Sequence, residues 1–242
     1  MWPSCLGKAS KVLGKVNSKQ TAMAYCNINA PASYGGNALQ LASSSGHYQV
    51  VQLLLEKGAD INAPDLYGRN ALQQASYSGH YQVVQLLLEK GADINAPASY
   101  YGNALQLASS LGHYQVVQLL LENGADVNAQ GGYYSNALQT ASAKGYYQLV
   151  QLLLMKGADV NAQGGYYGNA LKAALASRRK QTVVMLLTKG VNFESANLDE
   201  RELRQCQWVL KRETNPEQAD LFKTLQKVQE LLERAIVDAE DG

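Results

Sequence analysis

His47–Pro64 reads HYQVVQLLLEKGADINAP, and His80–Pro97 repeats it without a change, 33 residues later. A second marker keeps the same step: Asn-Ala-Leu begins at Asn37, Asn70, Asn103, Asn136 and Asn169. Self-similarity at a fixed period of this size marks a solenoid, in which each unit is one supersecondary element touching only its neighbours. Five units exceed the roughly three that such an array needs to bury its faces. The face of a solenoid is normally a recognition surface, so binding rather than catalysis is the expected trade of this chain.

The stretch from Pro64 to Gly91 shows how one unit should fold. Pro64-Asp65-Leu66-Tyr67-Gly68-Arg69 carries turn chemistry and predicts a projecting finger. Asn70 can cap a first helix, because its side-chain oxygen can accept an orphan amide of the first turn. Leu72 and Ala75, three apart, give that short helix one apolar face. Gly79 ends it by supplying a positive φ. Tyr81–Lys90, with Val83, Val84, Leu86, Leu87 and Leu88, predicts a second, more apolar helix, closed by Gly91. Asp93 and Asn95 begin an extended return to the next finger. Neither helix can bury its face alone, so stacking of units makes the core.

Composition narrows the function classes. The 242 residues carry a formal charge of +1, which offers no global steering towards nucleic acid or an anionic membrane. Lys8, Lys11, Lys15 and Lys19 are the only charges before Glu56. Cys5, Cys26 and Cys206 are odd in number and far apart, which suggests neither a disulfide framework nor a zinc site and favours a reducing, intracellular setting. No apolar run approaches the roughly 20 residues that span a bilayer. Met1–Gln20 lacks the unbroken apolar run of a secretory leader; its lysines and serines only faintly suggest a presequence.

Finger, short helix, Gly-His, Val-Val-x-Leu-Leu-Leu and Gly-Ala-Asp-x-Asn-Ala resemble the ankyrin repeat in order and period over about Asn27–Gly190. The resemblance implies an all-α ankyrin-repeat solenoid of five 33-residue units with β-hairpin-like fingers, followed by a C-terminal helical hairpin. Expected boundaries are an irregular segment 1–26, the array 27–190 and a helical cap or tail 191–242. The family's Thr-Pro-Leu-His stands here as Asn-Ala-Leu-Gln, as at Asn70–Gln73, which loses the preset φ of proline at the first helical position. With Gly-Gly-Tyr-Tyr before it, at Gly131–Tyr134 and Gly164–Tyr167, this variant is similar to ankyrin arrays of filamentous-fungal proteins, including sensor arrays of NOD-like receptor proteins.

His47, His80 and His113 share the Gly-His-Tyr slot, one unit apart, too far to share a metal. The resemblance implies a structural role in which each bonds the neighbouring loop; Tyr146 and Arg179 occupy the slot in the last two units. No Ser–His–Asp, HExxH, P-loop or GxGxxG pattern stands in the context its chemistry requires, so no enzyme, cofactor or metal is expected. Arg178-Arg179-Lys180 reads more readily as a solvated edge of the closing unit than as a nuclear-localisation patch.

Tyrosine is the compositional anomaly, 15 against 2 phenylalanines. Tyr34, Tyr67, Tyr100, Tyr133 and Tyr166 recur one per finger, and Tyr48, Tyr81, Tyr114 and Tyr147 open the second helices. Ankyrin proteins mostly bind through finger tips and the exposed side of the first helix. Carried over, that face gives Tyr34, Leu66, Tyr67, Arg69, Tyr77, Tyr100, Leu111, Tyr133, Lys144 and Tyr166 as the partner-binding residues. A surface of Tyr, Ser and Gly with few charges resembles a paratope, where rigid tyrosines give contact area at low entropy cost. Most differences between units fall on this face, notably Leu66/Ser99, Arg69/Gly102 and Tyr77/Ser110.

Beyond Gly190, Asn197 with Glu200 resembles a capping box, and Leu203, Cys206 and Leu210 form an apolar stripe. Asn215-Pro216 is expected to start a last helix, whose Leu221, Leu225, Val228 and Leu232 suit a core face better than a short coiled-coil seam. The chain is thus expected to be a monomeric, non-catalytic module that binds an unidentified protein. Small-molecule substrate, nucleic acid and membrane contacts are not expected. Its place would be the cytoplasm or the nucleus. The alternatives are a transcriptional co-regulator, or the sensor fragment of a larger receptor.

Overall fold

The computed structural model describes residues 27–30, 36–97, 102–213 and 219–240. Within them the chain is helical. The five units supply α1 (Ala38–Ser44) and α2 (Tyr48–Glu56), α3 (Ala71–Ser78) and α4 (Tyr81–Glu89), α5 (Ala104–Ser110) and α6 (Tyr114–Glu122), α7 (Ala137–Lys144) and α8 (Tyr147–Met155), α9 (Ala170–Ala176) and α10 (Lys180–Thr188). After the array come α11 (Phe193–Ala196), α12 (Glu200–Glu213) and α13 (Ala219–Glu240). This is the all-α solenoid that the 33-residue register implies.

Each first helix starts as its sequence dictates. The Asn70 side chain accepts the Gln73 amide at 2.9 Å, and Gln73 Oε1 accepts the Asn70 amide at 2.9 Å, a reciprocal capping box. Gly79 closes α3 with φ of 75°. Leu72, Ala75, Val84 and Leu87 are then wholly buried between neighbouring units. The exit loops lock the units together: Asn62 Oδ1 accepts the Asp93 amide at 2.9 Å, and Asn29, Asn95, Asn128 and Asn161 repeat the bond. The first helices pack more closely on one another than the second helices do.

The histidine slot is structural in the described bonds. His80 Nε2 lies 3.0 Å from the Ser44 carbonyl oxygen and His113 Nε2 lies 2.9 Å from that of Tyr77. Arg179 takes over in the fifth unit, its Nε donating to the Ala143 carbonyl at 3.3 Å. Arg178, Arg179 and Lys180 are all exposed, as a solvated edge requires, while Arg179 also ties two units and Lys180 sits over the Trp208 ring.

The stretch after Gly190 differs in detail from the sequence reading. Asn192 caps the one-turn α11 by accepting the Glu194 and Ser195 amides at 2.9 and 3.3 Å. Asn197 closes that turn with φ of 47° and does not start α12. The capping box belongs to Asp199 and Glu202, which exchange bonds of 2.7 and 2.9 Å. With Asn197 engaged in closing α11, the next residue that can cap with the right spacing is Asp199. Leu203, Cys206 and Leu210 of α12 and Leu221, Val228 and Leu232 of α13 are buried and continue the core of the array. The proposed start at Asn215-Pro216 lies outside the described residues.

Candidate interaction surface

Finger two is built around one carboxylate. Asp65 Oδ1 accepts the amides of Tyr67 and Arg69, both at 2.8 Å. Its Oδ2 receives Arg69 Nε at 3.1 Å and Gln74 Nε2 at 2.9 Å. The Asp65 side chain is only 3% exposed, so its charge is held in place by four donors. Arg69 lies over the Tyr67 ring, 5.2 Å from its centre. Leu66 and Tyr67 are left 81% and 62% exposed at the tip. Asp65 was not singled out in the sequence, although an Asp two residues before a turn amide is a recognisable Asx-turn signal.

Fingers four and five are each closed by a single β-bridge, Gly131 with Ser135 and Gly164 with Gly168, and they are joined to each other. Gly131 N–H donates to the Ser135 carbonyl and Gly164 N–H to that of Gly168, both at 2.7 Å. The Tyr166 amide donates to the Tyr133 carbonyl at 3.1 Å, joining one finger to the next. The rings follow the backbone: Tyr133 stacks on Tyr166 with centroids 5.0 Å apart, and Tyr134 on Tyr167 at 6.1 Å. Within each finger the two rings meet edge to face at 5.0 and 4.9 Å. Gly165 has to be glycine, because a Cβ there would lie 2.5 Å from the Tyr134 backbone and its φ is 66°. The Gly-Gly-Tyr-Tyr motif thus encodes a four-ring aromatic cluster whose members support one another.

Tyr77 at the end of α3, Leu111 after α5, Lys144 at the end of α7 and Tyr133 converge on one cleft of about 240 Å³. Gln106, Leu107, Ser110, Tyr134, Thr140 and the glycines Gly131 and Gly132 complete its walls. Leu111, Tyr77 and Tyr133 each leave close to half of their surface open to it and to solvent. Lys144 is the sole charge in the lining. The arrangement offers aromatic area, neutral hydrogen-bond groups and one cation.

Of the ten residues expected to bind a partner, the structure gathers Tyr77, Leu111, Tyr133 and Lys144 in this cleft. Leu66, Tyr67 and Arg69 form the tip of finger two, and Tyr166 extends the tyrosine cluster at finger five. Tyr34 and Tyr100 lie outside the described residues. Among the described residues no three His, Cys, Asp or Glu side chains come together as a metal site.

A family model described as ankyrin repeats (3 copies) matches residues 9–98, 68–131 and 105–197. The chain belongs to the ankyrin-repeat family. Ankyrin repeats are generally protein–protein interaction modules, and the family is typically non-catalytic. The chain is also similar to the azaphilone pigments biosynthesis cluster protein L of Monascus ruber, 61% identical over 33 residues. That match covers 14% of this chain and 7% of the relative, one repeat's worth of each. No described helix of this ankyrin array is long and apolar enough to cross a membrane.

Proposed function

We propose that this ankyrin array is a non-catalytic module that binds a partner protein through its fingers and first helices. The reading rests on the cleft that unites Tyr77, Leu111, Tyr133 and Lys144 from three successive units. Exposed tyrosines on a rigid frame supply contact area without much loss of rotamer freedom, and the mutual stacking of Tyr133 with Tyr166 adds rigidity. The tip of finger two, with Leu66 and Tyr67, extends the same face. The array proper is taken as residues 27–190, and 191–242 as its helical cap. The similarity to a protein named for a biosynthesis cluster keeps a second reading in play, a cluster-associated or co-regulatory partner-binder, as does a sensor role within a longer receptor.

The test is capture of the partner from the cells of origin, followed by titration of purified variants. Interface energy concentrates in a few aromatic or Arg side chains, each contributing about 2 kcal/mol or more on truncation. Tyr77→Ala, Tyr133→Ala and Tyr67→Ala are expected to weaken binding about tenfold or more. Gln52→Ala and Gln85→Ala should be silent, since those amides only bridge to Glu56 and Glu89 along the second helices at 3.0 Å. Loss of binding in the glutamine variants with retention in the tyrosine variants would move the recognition surface to the opposite side.

A further inference from the structure

Two cations share one indole where the array meets its C-terminal helices. Lys180 Nζ lies 4.3 Å from the centre of the Trp208 ring, and Arg212 Cζ lies 4.9 Å from it. Trp208 is 45% exposed and stands at a cleft of about 310 Å³ whose rim includes Arg178 and Lys180. The floor of the cleft is the nearly buried Leu175, Val183 and Val209, so that the indole is its main accessible apolar surface. Among the described residues the ion pairs are Arg69–Asp65, Lys172–Glu202 and Arg204–Glu200, so Arg178, Lys180 and Arg212 have no carboxylate partner there.

The fifth unit departs from its copies at the positions that make this cleft. Leu175 stands where the earlier units have Ser43, Ser76, Ser109 and Ser142. Lys180 replaces the tyrosine that opens every other second helix, and Arg178 replaces Gly46, Gly79, Gly112 and Gly145. Docking of α12 accounts for Leu175, which it buries. It does not account for the cations. Arg178 adopts φ of 58°, a conformation that costs an L-residue roughly 1–2 kcal/mol and that glycine would adopt freely. Arg178, Lys180 and Arg212 are all exposed, so water screens their mutual repulsion in part, and the ring's quadrupole offsets more of it at Lys180 and Arg212. Strain at Arg178 and three cations without a carboxylate partner among the described residues point to a ligand that relieves the charge.

We propose that this cleft is a second recognition site, for an acidic peptide segment that carries an apolar anchor side chain. Its carboxylates would bond Arg178, Lys180 and Arg212, and its anchor would pack on the exposed part of the Trp208 ring above Leu175, Val183 and Val209. With cations already over the indole, the ring is engaged and poorly placed to stack a nucleobase, which favours peptide over nucleic acid. The site is separate from the finger cleft and stands or falls independently of it.

The full chain contains two tryptophans, so a Trp2→Phe variant makes Trp208 the sole indole reporter. The probe is the capped hexapeptide DDLFDD, with NNLFNN, DDGGDD and a short oligothymidylate as comparators. DDLFDD should shift Trp208 emission and bind about tenfold or more tighter than NNLFNN or DDGGDD, with affinity falling as salt rises. Lys180→Gln together with Arg212→Gln should remove that preference while leaving the thermal midpoint close to the parent's. Arg178→Gly is the decisive variant: it should weaken peptide binding yet hold or raise the thermal midpoint, since it relieves the positive φ. Equal binding of NNLFNN, no emission response to DDLFDD, or preference for the oligothymidylate would each overturn the proposal.

Discussion

Gln106 shows how much one side chain does in each unit. Its Oε1 accepts the Asn103 amide at 3.0 Å, and its Nε2 donates to the carbonyls of Ala129 and Ser135 in the next unit at 2.9 and 3.0 Å. The side chain is buried, so truncation strands three polar groups away from water. Gln106→Ala is expected to cost about 2–3 kcal/mol in a urea melt, several times an exposed substitution. Ser76 is the contrast. Among the described residues its buried hydroxyl has no hydrogen-bond partner, whereas Ser109 Oγ donates to the Leu105 carbonyl at 2.7 Å. Ser76→Ala should therefore stay within about 1 kcal/mol of the parent or exceed it, because removing an unsatisfied group returns its desolvation cost. A melt in which Ser76→Ala is the more damaging of the two would contradict this account. The Asn cap and the glutamine three residues on were legible in the sequence. The reach of that glutamine across 23 and 29 residues was not, because it depends on how units stack.

At the scale of elements, two glycines that look alike in the sequence carry different constraints. Gly79 ends α3 with φ of 75°, and a Cβ there would lie 2.6 Å from the His113 ring of the next unit. Gly91 ends α4 with φ of 87° and open space around it. Gly91→Ala should cost only the backbone strain, about 1–2 kcal/mol. Gly79→Ala should cost about 1–3 kcal/mol more, because it must also displace His113 from its bond to the Tyr77 carbonyl. Paired denaturant melts of the two variants measure the difference directly; equal losses would mean that the histidine slot yields without cost. Helix boundaries were readable because caps and apolar period agree in each unit. The start of α12 was misread because Asn197–Glu200 and Asp199–Glu202 both fit the capping-box spacing, and only the closure of α11 at Asn197 decides between them. The finger tyrosines were legible as a periodic series. Their pairing across fingers was not, since the Tyr166–Tyr133 backbone bond is set by the offset between units.

Among the described helices the main contacts run between neighbouring units, so the two ends of the molecule need not share one fate. Cys206 can report on this. It is fully buried where α12 meets the array, and burial, with the charge of Glu202 adding, pushes its thiol from an ordinary value near 9.0 up to about 12. The folded chain thus holds a proton that the unfolded chain releases above about pH 9, so this group's contribution to stability is lost as pH rises from there towards 12. At milder pH the thiol can react only through an opening that exposes it. With Cys5 and Cys26 replaced by serine, labelling by a thiol reagent counts openings at α12 alone. Undocking the last helices breaks one interface, whereas global unfolding breaks all of them. Leu210→Ala, in the α12 interface, removes a wholly buried side chain and should speed labelling by roughly 30- to several-thousand-fold, the equivalent of about 2–5 kcal/mol. Leu87→Ala is equally buried but lies in the second unit. It should lower the denaturation midpoint by a similar energy while leaving the labelling rate almost unchanged. If Leu87→Ala instead accelerates labelling as much as Leu210→Ala does, the array and its terminal helices unfold as one cooperative body, and the nearest-neighbour picture fails for this chain.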